Sequence, residues 1–96
     1  MRRARAGARA RVCVHGRAPD AAPAWQESNE AELARVLQVN VLGVMWTVRA
    51  FLPRMLRGGD ARAQVVVVSS IAGLVGQSRL TEYCASKFAL VGFAES

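Results

Sequence analysis

The chain has 96 residues, 52% of them hydrophobic and 21% charged, with a net charge of +6. That length allows one small domain, and the composition excludes a low-complexity or wholly disordered protein. The longest apolar stretch, residues 65–76, is interrupted by Ser69 and Ser70 and is too short to cross a bilayer, so no membrane segment is expected.

The charge is unevenly placed. Arg2, Arg3, Arg5, Arg9, Arg11 and Arg17 all precede the first acid, Asp20, whereas from residue 18 onward six arginines and Lys87 balance seven acids. The basic character belongs to a leader, and no nucleic-acid partner is expected for the domain. Residues 1–17 lack the hydroxyl residues and apolar face of a mitochondrial presequence and the aromatics of an RNA-binding arm. A basic nucleic-acid-binding module, resting on this leader alone, is the weakest function class. Residues 18–27 add Pro19 and Pro23 among small residues, so 1–27 reads as a disordered leader and linker and 28–96 as the domain. His15, in the leader, has no carboxylate or serine nearby in sequence and is assigned no role. Cys13 and Cys84 show no C-x-x-C spacing, which leaves metal and redox motifs unsupported and points to a reducing intracellular compartment.

Ordered structure is predicted to begin at Asn29, which with Glu32 three positions later resembles a capping box; Ser28 is a rival cap. Leu33, Val36, Leu37, Val41, Val44, Met45 and Val48 recur at helical spacing, and the pattern continues through Phe51, Leu52, Met55 and Leu56. Pro53 is expected to bend its last turns, and Gly58-Gly59-Asp60 to stop it. Val65-Val66-Val67-Val68 reads as a strand buried on both faces, of the kind found inside parallel sheets. A loop over 71–80 leads to a second helix over 82–96. Helix, strand and helix make an α/β, αβα piece of a doubly wound, Rossmann-like fold with one buried parallel-type strand.

The only tyrosine and the only lysine stand four apart, as Tyr83-Cys84-Ala85-Ser86-Lys87. On a helix that spacing puts both on one face, where an ammonium beside a phenol favours its ionised form and suits it to acid/base work. Ser70 directly follows the strand, and ligands of parallel α/β sheets bind at the carboxyl ends of strands. Its neutral hydroxyl can hydrogen-bond a substrate oxygen. Asn40 sits mid-helix, where its propensity is mediocre and its amide can hold a water or a carbonyl. Each signal has a plainer counterpart. The Tyr/Lys pair reads equally as an exposed helix face, the serines as a turn, and Asn40 as a solvated residue. Trp46, Phe51, Phe88 and Phe93 read as core aromatics.

Taken together, Val39-Asn40-Val41-Leu42-Gly43, Trp46-Thr47, Phe51-Leu52-Pro53-Arg54-Met55, Val65 through Gly73 and Tyr83 through Ala89 resemble the short-chain dehydrogenase/reductase family in order and spacing. The resemblance runs from about residue 29 to the end, and the phrases look most like the branch acting on retinoids and 17β-hydroxysteroids. It implies an oxidoreductase that interconverts a lipophilic alcohol and a carbonyl with NAD or NADP. It further implies that Tyr83 exchanges a proton with the substrate oxygen. Lys87 would lower the Tyr83 pKa and bind the nicotinamide ribose, so that Tyr83 and Lys87 form the cofactor-binding part of the site. Ser70 would orient the substrate, and Asn40 would hold a water linking Lys87 to solvent.

The family's G-x-x-x-G-x-G turn and its Asn-Asn-Ala-Gly strand end are missing, and Val14-His15-Gly16-Arg17 only faintly resembles the stretch after the latter. The expectation is therefore a fragment lacking the amino-terminal cofactor-binding half, with little or no activity alone. A competing expectation is a non-catalytic piece. The resemblance implies a homo-oligomer interface on the helices carrying Asn40 and Tyr83, through which such a piece would bind a full-length homologue. For the full-length branch members it also implies endoplasmic-reticulum or lipid-droplet association.

Overall fold

The structure is a computed structural model that describes residues 11–15, 25–59 and 62–96. The first ten residues, the linker prolines and Asp60 of the proposed helix stop lie outside the described residues. Strand β1 spans Arg11–His15 and pairs in parallel with β2, Gln64–Val68, in a register that sets Arg11 opposite Gln64 and His15 opposite Val68. The expectation of a leader without structure up to residue 27 thus fails for residues 11–15. Val12 and Val14 alternate with Cys13 as β-formers do, and the arginine-rich surroundings masked that short pattern in sequence.

Parallel strands need a long crossover, and here it is helical. After a 3₁₀ turn at Trp25–Glu27, helix α1 covers Glu30–Leu37, a π-helical turn covers Gln38–Leu42, and α2 covers Gly43–Arg57. Asn29 caps α1, its side-chain oxygen accepting the Ala31 N–H at 2.8 Å, so Asn29 and not Ser28 is the cap. The helix continues through Pro53 and ends at Gly58-Gly59, where Gly59 adopts a φ of 60° that other residues reach only at a cost. Glu30–Arg57 is thereby one 28-residue helix, long and apolar enough by length and composition to cross a membrane. Asn40, Val44 and Val48, one stripe at helical spacing that is polar only at Asn40, are its buried face.

Beyond β2, Ile71–Gly73 form a 3₁₀ turn and Thr81–Glu95 form α3, which packs on that turn, on the π-helical turn and on α1. Val44, Val48, Ala72, Cys84 and Leu90 make the small apolar core. Two expectations need correction. Val65 and Val66 are exposed, so β2 is not buried on both faces; among the described residues β1 is its sole strand neighbour. Trp46, Phe51 and Phe88 are also exposed, by 56%, 51% and 46%. Trp46, two residues from both Val44 and Val48, stands off their stripe, whereas Phe51 continues it by spacing and is exposed all the same.

Burial separates the apolar residues energetically. Leu90→Ala removes a fully buried side chain and is expected to cost about 2–5 kcal/mol, whereas Leu56→Ala, at 72% exposure, should stay within about 0.5 kcal/mol. Urea unfolding followed by tryptophan fluorescence measures both.

Candidate active site

The site is assembled where the carboxyl end of β2 meets α3. Tyr83 and Lys87 lie one turn apart on α3, and the Lys87 Nζ stands 5.5 Å from the centre of the Tyr83 ring. Lys87 is 1% exposed and is the largest fully buried side chain, so the reading of an exposed Tyr/Lys face is excluded. Its ammonium donates a long hydrogen bond of 3.5 Å to the Val68 carbonyl. Burial pulls the Lys87 pKa below the ordinary amine value, since a desolvated ammonium is less stable than a desolvated amine.

Ser70 is the cap of the 3₁₀ turn. Its Oγ accepts the Ala72 N–H at 3.2 Å, which fixes the oxygen and leaves the hydroxyl proton unengaged among the described residues. The Tyr83 side chain is half-buried and its phenol O–H likewise has no partner among them. Among the described residues both hydroxyl groups therefore keep a proton to donate, and the Lys87 ammonium stands beside the Tyr83 ring.

Asn40 is 1% exposed and stands in the middle of the π-helical turn, not on a solvated face. Such turns displace one residue from the regular helical ladder and recur at functional sites. The Asn40 Nδ2 donates to the Ser86 Oγ at 3.2 Å, and the Ser86 hydroxyl donates to the Tyr83 carbonyl at 2.7 Å. Asn40 thus reaches α3 through Ser86, a fully buried serine that the sequence reading quoted but did not assign. Its position three residues after Tyr83 and one before Lys87 was the available signal. Cys84 is buried and free, its sulfur accepting the Gln77 N–H at 3.3 Å.

These groups suit the ribose end of a nicotinamide coenzyme: among the described residues the Lys87 ammonium donates to the Val68 carbonyl alone and the phenol has no partner, and such donors can hold a pair of vicinal hydroxyls. A glycine-rich phosphate turn is not in the sequence.

Two parallel strands joined through a helical crossover, with α3 packed at the carboxyl end of β2, define the class as a partial Rossmann-like α/β fold. The sequence profile of the short chain dehydrogenase family matches residues 12–96, and the chain belongs to that family. It is 52% identical over 62 residues to the short-chain dehydrogenase/reductase family 16C member 6 of Bos taurus, covering 65% of this chain and 19% of that protein. It is 49% identical over 67 residues to human 17-beta-hydroxysteroid dehydrogenase type 1, covering 70% and 20%. Epidermal retinol dehydrogenase 2 of Mus musculus is 44% identical over 64 residues, covering 67% and 20%. The chain spans about a fifth of the length of these curated relatives. Among solved structures, a short chain dehydrogenase/reductase from Burkholderia phymatum in complex with NAD superposes with a TM-score of 0.80 at 35% identity, over 90% of this chain and 30% of that one. The profile match starting at residue 12 agrees with β1 being part of the fold.

The buried lysine links pH to stability. Its folded-state pKa lies below its unfolded value, so between the two the unfolded chain holds more protons, and stability should rise with pH toward the ordinary amine range. Carbon-13 labelling of lysine gives a single side-chain signal for titration, because Lys87 is the only lysine. Its midpoint is expected below the ordinary amine value in the folded chain and at that value in urea.

Proposed function

We propose that residues Asn40, Ser70, Tyr83 and Lys87 form the acid/base apparatus of an NAD- or NADP-dependent oxidoreductase that interconverts a lipophilic alcohol, retinoid or steroid-like, and its carbonyl. The observation that carries this reading is the buried Lys87 held 5.5 Å from the ring of Tyr83, whose hydroxyl is unengaged among the described residues. Tyr83 donates its phenolic proton to the substrate oxygen as the carbonyl is reduced and takes it back on oxidation. Lys87 favours the phenolate that this leaves and holds the coenzyme ribose. Ser70 keeps its proton and donates a hydrogen bond to the same substrate oxygen. Asn40, tied to α3 through Ser86, keeps the long helix against the acid/base helix and holds the water that connects Lys87 to solvent. When bound, the nicotinamide supplies or accepts the hydride. The names of the retinol and hydroxysteroid dehydrogenase relatives support the substrate class.

This chain's segment can be placed into human 17-beta-hydroxysteroid dehydrogenase type 1 over the 67-residue match. The chimera is expected to turn over its hydroxysteroid, and Tyr83→Phe to lower kcat about 10²–10⁴-fold. A chimera that binds coenzyme and substrate yet shows no turnover, or a Tyr83→Phe form as fast as its parent, sinks the proposal.

Exposure of Trp46, Phe51 and Leu56 on α2 favours a second reading, in which this chain associates with a larger homologous dehydrogenase. Co-purification with such a homologue, lost on Trp46→Glu, is the expected outcome. A monodisperse monomer in the presence of the homologue counts against it.

A further inference from the structure

We propose that Ser69 is a positioning residue, which with the closely packed Gly73 fixes the Lys87 peptide on the carboxyl end of β2 and so sets where the ammonium stands beside Tyr83. The Ser69 hydroxyl donates to the Lys87 carbonyl at 2.9 Å, joining residues 18 apart in sequence. The neighbouring Val68 carbonyl accepts from the Lys87 Nζ at 3.5 Å. Two consecutive residues thus hold the two ends of one lysine, its backbone oxygen and its ammonium. Fixing a four-carbon stem at both ends removes rotamers that the buried side chain would otherwise sample.

Gly73 makes the approach possible. A Cβ there would run into the Ser69 hydroxyl and lie 2.8 Å from the Lys87 carbonyl oxygen and 3.1 Å from its carbon. The carbonyl has two lone pairs, so it can accept from Ser69 while retaining its place in the helical ladder. Ser69 is distinct from Ser70, whose oxygen caps the 3₁₀ turn and whose proton faces the proposed substrate. The catalytic consequence rests on the acid/base reading above, but the placement itself is tested without turnover, so either can fail alone.

The readout is the titration of the single lysine in the full chain. Among the described residues, Tyr83 is the titratable group facing the ammonium; β2 presents the Val68 carbonyl, the π-helical turn presents Asn40, and Glu30, Glu32 and Arg35 of α1 are exposed. Ser69→Ala is expected to move the Lys87 midpoint upward toward the ordinary amine value, and Gly73→Ala to do the same. Ser69→Thr, which keeps a hydroxyl, should retain the parent midpoint. Asn29→Ala, which removes a helix cap that Lys87 does not touch, should lower stability without moving it. Unchanged midpoints in both Ser69→Ala and Gly73→Ala, or an equal movement in Asn29→Ala, overturn the proposal. If circular dichroism shows Ser69→Ala and Gly73→Ala unfolded, Ser69→Thr decides: a parent midpoint supports the role and a shifted one overturns it.

Discussion

Burying one ammonium group is the constraint from which the rest of this small structure follows. Lys87 is withdrawn from water in a chain whose fully buried apolar side chains are few, and an unpartnered charge there would be costly. The surrounding elements answer that cost in different ways. The end of β2 supplies a carbonyl, Tyr83 supplies a ring face, and small residues at Ala72 and Gly73 let the 3₁₀ turn close over the lysine backbone. The lowered pKa of Lys87 records the desolvation that remains uncompensated.

A second set of contacts ties the long helix to this centre. Asn40 reaches Ser86, and Ser86 reaches the Tyr83 carbonyl, so a polar bridge crosses an otherwise apolar interface. Buried polar groups of this kind specify one relative placement of two helices, because any slip leaves a donor unpaired. Asn40 lies on the inner face within the π-helical turn, four residues before the buried Val44.

The outer surfaces are less well covered. α2 displays Trp46, Phe51, Leu52 and Leu56, and two valines of β2 are exposed. In a chain spanning about a fifth of its relatives' length, the area available for burial is limited, since small cores cover a smaller share of their surface. The site is nonetheless among the best enclosed parts, because its buried members converge within the helix, strand end and helix that the segment contains.

The sequence by itself determined the two main helices, the Val65–Val68 strand and the family, because periodicity, β-branched runs and the Tyr/Lys, Ser and Asn spacings are local or one-dimensional signals. It left open whether Asn40 and Lys87 were solvated, and it misjudged β1 and the aromatics. Strand identity at Arg11–His15 depends on pairing with residues more than fifty positions away. Which side of a helix is buried depends on what packs there, so Trp46, apolar but off the stripe, stays exposed while Asn40 and Lys87 go inside. The Ser69–Lys87 and Asn40–Ser86 contacts were decided by tertiary structure alone: they join residues 18 and 46 positions apart, and no local spacing brings such atoms within hydrogen-bond reach.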